Sequence, residues 1–112
     1  MDIRHPIVGP ACVALALAAA AMPAAAGDPL AGKNKSRACA VCHGLYGKSE
    51  RPDAPHLSGQ VEPYLVQQLR AYRDGKRRHE VMSIVAADLT NADIDDLSAW
   101  YASIEITVKQ AE

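Results

Sequence analysis

An all-α domain is what this sequence predicts, on three observations. Thr90, followed three residues later by Asp93, approximates the box that opens a helix, and Ile94, Leu97, Tyr101 and Ile104 then recur at helical spacing. Upstream, Pro63 sits at a first-turn position, Leu65, Leu69 and Tyr72 mark one helical face, and Gly75 stops it. A further segment ends at Gly44, a residue suited to the left-handed position behind a helix C-terminus, with no strand-helix alternation around it.

Taken in order, the first 26 residues read as a secretory leader: Arg4 gives a weakly positive start, Ala11 to Ala21 is apolar, and Ala24, Ala25 and Ala26 are small enough for cleavage before Gly27. Retention as a membrane anchor is the competing reading, against which Pro10 and Pro23 interrupt the stretch and leave its unbroken part too short to span a bilayer. Cys12 lies at the start of the apolar run and leaves with the leader. Residues 27–112 then form one small domain. Its first helix is expected from about Asp28 or Leu30 through Cys42. Gly47, Pro52 and Pro55 break the next stretch into a loop, the second helix covers Glu62 to Asp74, and Lys76 to Leu89 is less regular. Asp95 and Asp96 favour the positive end of the last helix, and Gly32 lets an aromatic of that helix come close to the first.

Composition narrows the function classes. The 112-residue chain has a formal net charge of −1 with both signs mixed, and no basic run with interleaved aromatics, so nothing points to nucleic acid. Two basic clusters, Lys33/Lys35/Arg37 and Lys76/Arg77/Arg78, read first as solvated faces and second as surfaces that steer an acidic partner. With no Phe, one Trp and four Tyr, the aromatic content is thin for a domain that needs a staple or cofactor at this size.

Cys39-Ala40-Val41-Cys42-His43 carries the chemistry, since C-x-x-C-H is the attachment signature of a covalently bound c-type haem. On a helical turn, positions i and i+3 share a face, so Cys39 and Cys42 reach one edge of a porphyrin while His43 projects beneath it toward the iron. A zinc site is the first alternative; it needs a second ligand pair, and outside the leader only His56 and His79 remain. A thioredoxin-type redox pair is the second, and it requires a βαβ context. For the sixth iron position, Met82 is the one methionine outside the leader, and a Met/His pair is the ligation of electron-carrying c-type cytochromes. His79 and His56 compete with it; either would give a bis-histidine iron of lower potential.

Four segments together resemble a class I c-type cytochrome of the small bacterial single-haem kind and its tandem two-haem relatives: Cys39 to Gly44, Ala54 to Gln60, Tyr64 to Leu69 running on to Arg77, and Met82 with Ala86 to Leu89 and the final helix. The resemblance implies a cytochrome c fold of three to five helices around one covalent haem c, with Cys39 and Cys42 as anchors and His43 and Met82 as axial ligands. It further implies that Pro55 offers its carbonyl to Nδ1 of His43 and that Leu57 packs on the proximal haem face. His56 departs from the commoner Asn and receives no role. The function this resemblance implies is that of a periplasmic one-electron carrier and not an enzyme. Such a carrier exchanges electrons with a donor and an acceptor protein through a transient interface at the haem edge and meets membranes only through partner complexes. The alternatives are a cytochrome subunit of a dehydrogenase or oxidase complex, and a haem enzyme or small-gas-binding protein with a labile sixth ligand.

Overall fold

The computed structural model describes residues 26–111; the leader read over residues 1–26 lies outside them apart from Ala26. Five helices follow one another: α1 (Pro29–Lys35), α2 (Arg37–His43), α3 (Glu62–Arg73), α4 (Met82–Val85) and α5 (Asn91–Ala102). Among the described residues there is no strand, and no helix is long and apolar enough to cross a membrane.

The expected first helix is bent in two. Asp28 caps it by accepting from the amide of Leu30 at 2.9 Å, with Pro29 in the first turn. The bend falls at Ser36, whose hydroxyl donates to the Lys33 carbonyl at 2.8 Å while its backbone takes ψ −3°. A serine bonding back onto the preceding turn bends a helix without ending it. The amides of Ser36 and Ala40 still bond four residues back, at 2.8 and 3.0 Å. At the far end, Gly44 has φ 81° and ψ 159°. Its φ is positive as expected, but ψ is extended, a combination essentially restricted to glycine.

Helix α5 organises the rest. Ile94, Leu97, Ala99 and Tyr101 are buried on it, and Leu65 of α3 and Ala86 complete the apolar core. α5 packs most extensively on α1 and also on α3, while α4 rests on α3. Its start is a full capping box: the Thr90 hydroxyl accepts from the Asp93 amide at 3.1 Å, and the Asp93 carboxylate accepts from the Thr90 amide at 3.0 Å. Arg70 on α3 reaches Asp95 at 3.2 Å, and Arg73 bonds the Leu89 carbonyl and Asn91 at 3.2 and 2.9 Å. Gly32 is the contact point of α1 with α5. A side chain there would meet the Asp96 carbonyl and stand 2.7 Å from Cβ of Trp100. The close approach expected of Gly32 is therefore to helix backbone as much as to an aromatic.

Polar ties reinforce this crossing. Lys35 bridges Asp93 at 2.8 Å and Asp96 at 2.7 Å, and the Asp28 amide donates to Asp96 at 2.8 Å. Lys35 and the Thr90 cap hold the Asp93 carboxyl down to about 2. A carboxylate depressed in the folded state binds fewer protons there than in the unfolded chain. Its contribution is thus complete above the unfolded value of about 4 and is lost as pH falls toward 2. Melting temperature measured from pH 5 to pH 2 is expected to fall less steeply in Asp93→Asn than in the parent; equal slopes would remove Asp93 from the acid transition.

Candidate functional site

The pentapeptide occupies the second half of the bent N-terminal helix, with Cys39 and Cys42 as free, half-buried thiols three residues apart and His43 at the helix end, 7% exposed. His43 Nδ1 lies 2.9 Å from the Pro55 carbonyl. A carbonyl only accepts, so Nδ1 carries the proton and Nε2 keeps its lone pair for a metal. Burial pushes the Cys39 thiol up. Tyr101 of α5 comes beside it, its hydroxyl buried and near the sulfur without reaching hydrogen-bond geometry. Burial first, and then the neighbouring thiol, raise the phenol above its ordinary range.

The loop behind the motif is built to present that carbonyl. Gly47 accepts from the amides of Leu57 and Ser58 at 2.6 and 3.2 Å, closing the loop at its base, and the Gly59 amide donates to the Tyr101 carbonyl at 2.8 Å, tying it to α5. Inside the loop, buried Ser49 donates its hydroxyl to the Cys42 carbonyl at 2.9 Å, and its amide donates to Nδ1 of His56 at the same distance. His56, given no role from sequence, thus braces the residue that fastens the loop to α2. A lone histidine in a proline-rich stretch carries no periodic signal that would have disclosed this. Leu57 is half-buried two residues after Pro55.

Met82 opens α4, a single turn that no periodicity in the sequence announces, and is half-buried. Helices α2 and α4 do not pack on each other; α1, α5 and α3 connect them. The motif and the methionine are therefore carried on helices that do not touch. His79, exposed, uses Nδ1 to accept from the amides of Val81 and Met82 at 3.2 and 3.3 Å. A neutral imidazole has one lone pair, so His79 in this arrangement presents a protonated Nε2 and is no ready iron ligand.

The basic clusters are partly engaged within the fold. Lys35 is held by two aspartates, Lys33 lies 5.6 Å from the centre of the Trp100 ring, and Arg77 stacks 4.6 Å over Tyr72 while donating to Gln68 at 2.7 Å.

These residues fit a covalent porphyrin. Two thiols share a helix face without forming a disulfide, an imidazole has Nδ1 tied to a carbonyl and Nε2 free of any protein bond, and a thioether is carried on a helix that does not touch theirs. Among the described residues no group of three or more His, Cys, Asp or Glu side chains could hold a metal ion, as a zinc site would need. Three further buried donors, the Ser98 hydroxyl, the Trp100 indole N–H and the Tyr101 hydroxyl, have no protein partner, a pattern that suits a ligand bearing acceptors.

Comparison with known proteins agrees. The family model described as Cytochrome c matches residues 24–105. Cytochrome c4 of Pseudomonas aeruginosa is 40% identical over 88 residues, covering 79% of this chain and 44% of that protein. Cytochrome c-554(548) of Halomonas halodenitrificans is 41% identical over 83 residues, covering 71% of this chain and 100% of the relative. The crystal structure of reduced recombinant cytochrome c4 from Pseudomonas stutzeri superposes with a TM-score of 0.70 at 33% identity, over 78% of this chain and 50% of that one. The chain thus spans about half the length of the cytochrome c4 proteins it matches and the whole of the shorter relative. With its helices in the arrangement of a solved cytochrome c4 and its matched span running from before α1 to beyond α5, the chain belongs to the cytochrome c family, and its cofactor is covalently bound haem c.

Proposed function

We propose that this chain is an exported electron carrier in which Cys39 and Cys42 hold the haem as thioethers and His43 and Met82 ligate its iron. The observation that carries the reading is the bond from His43 Nδ1 to the Pro55 carbonyl, which orients the imidazole and leaves Nε2 for iron. When bound, haem supplies a site that gains and loses one electron. The protein's part is to hold that site still. His43 is fixed by Pro55, Pro55 by a loop closed on Gly47, and that loop by α5, so little has to move between oxidation states. Leu57 serves as apolar packing on the proximal side, where it keeps water away.

Export follows from the same chemistry. Thiols destined for thioether bonds must escape disulfide formation, and in bacteria c-type attachment belongs to the exported side of the membrane. The leader over residues 1–26, cleaved after about Ala26, supports a periplasmic location. Donor and acceptor are redox proteins that dock transiently at the haem edge. The positive charges still open to them come from Arg37, Lys76 and Arg78, which are exposed, more than from Lys35.

Optical spectra of the mature protein in both oxidation states, with a pyridine haemochrome assay, test this reading. The expected result is a two-thioether haemochrome, a far-red sulfur-to-iron band in the ferric form, and a ferrous form that does not take up carbon monoxide. Rapid carbon monoxide binding by the reduced protein would instead support a labile sixth position and a gas-binding or catalytic role.

A further inference from the structure

Met82 lies on a single turn of helix, and a four-residue helix does not persist in water on its own backbone bonds. Helix α4 has no capping side chain at the residue immediately before it, Val81. Its order comes from His79, three residues before Met82. The His79 Nδ1 accepts from the amides of Val81 and Met82, while the Ser83 hydroxyl accepts from the His79 amide at 2.9 Å and the Ser83 amide donates to the His79 carbonyl at 3.0 Å. This is the reciprocal logic of a capping box, with imidazole in the place of the usual Ser, Thr or Asp. One of the two amides the imidazole holds is that of Met82 itself.

We propose that His79 is a positioning residue for the sixth iron ligand: its side chain, paired with Ser83, fixes the turn that aims the Met82 thioether. The inference rests on the reading of Met82 as that ligand. Beyond its packing on α3, the turn has few other holds. Val81, Ile84 and Val85 are exposed, and Ala86 is the one buried residue at the end of the turn. Without the imidazole, the amides of Val81 and Met82 turn to water and the turn frays. The sulfur then leaves the iron more often, with no change at His43, whose support comes from Pro55 on a different segment.

The test uses the holoprotein in four forms: parent, His79→Ala, His79→Asn and Met82→Ala. The readouts are haem attachment, the ferric far-red sulfur band, carbon monoxide uptake by the ferrous protein, and reduction potential. His79→Ala is expected to attach haem normally, to weaken the far-red band, to raise the carbon monoxide-accessible fraction on the order of fivefold, as expected from loss of one cap, and to shift the potential downward. His79→Asn is expected to restore parent behaviour, because an Asn side-chain oxygen accepts from amides two and three residues on. If His79→Ala matches the parent while Met82→Ala loses the band, His79 has no positioning role though Met82 is a ligand. If Met82→Ala keeps the band, the ligand assignment fails and the inference with it. Equal loss in His79→Ala and His79→Asn would also overturn the proposal, since it would show that the amide acceptor is not what matters. Should His79→Ala not accumulate, Ser83→Ala, which removes the other half of the box, is expected to give the same shifts in milder form, and unchanged spectra there would count against the proposal.

Discussion

Cys39→Ala combined with Cys42→Ala is expected to yield a chain that neither retains haem through denaturation nor unfolds cooperatively. The size of the core is the reason. Among the described residues the buried apolar set is Leu65, Ala86, Ile94, Leu97, Ala99 and Tyr101, two of them alanines, and Ile94 and Ser98 are the largest side chains fully enclosed. At about 25 cal/mol per Å² such a set falls short of the conformational entropy of ordering more than eighty residues, so a cofactor must complete the interior. Folding is then coupled to attachment, as it is to metal in small metallo-domains. Circular dichroism and urea titration of the exported variant check this: a broad, non-cooperative loss of signal is expected. A sharp urea transition in the haem-free chain would show that the helices suffice alone.

The second large effect is expected at Gly32. Gly32→Val brings a branched side chain against the Asp96 carbonyl and Trp100 Cβ, which belong to helix backbone and to the root of a side chain, neither able to swing aside. Helix α1 must then lift off α5, which also pulls Lys35 from Asp93 and Asp96 and the Asp28 amide from Asp96. Overpacking of this kind costs about 3 kcal/mol or more. In a domain this small that lowers the melting temperature by on the order of 15 °C. Gly32→Ala should show a lesser loss of the same sign. Thermal melts of the holoprotein followed at the haem band decide it, and a Gly32→Val melting temperature within a few degrees of the parent would refute the tight crossing.

How much could be read in advance depended on whether a feature was local and periodic. The start of α5 was legible because Thr90 and Asp93 supply both halves of the cap within four residues, and the stripe Ile94, Leu97, Tyr101 has the helical period. Helix α3 was legible to within one residue for the same reason: Pro63 and Gly75 bracket it. The bend at Ser36 was not, because serine chooses between solvent and the Lys33 carbonyl only once the helix exists. Helix α4 escaped because its caps are the side chains of His79 and Ser83, and four residues are too few to show a period. At the haem site the pentapeptide was plain from spacing. The bond from His43 to Pro55 spans twelve residues of irregular loop, and only family resemblance suggested it. The brace from His56 to Ser49 was invisible, since nothing in a single histidine announces which amide it will accept from.

Asp28 and Asp96 are 68 positions apart in the chain, yet their contact and the Gly32 crossing join the first helix to the last. Pairings this distant form late, because a long loop must close before they give any return. The Cys39–His43 segment, beside Tyr101 in the folded chain, therefore gains that neighbour only when residues 91–102 dock, so the surroundings of its sulfurs are set by the most distant contact of the fold.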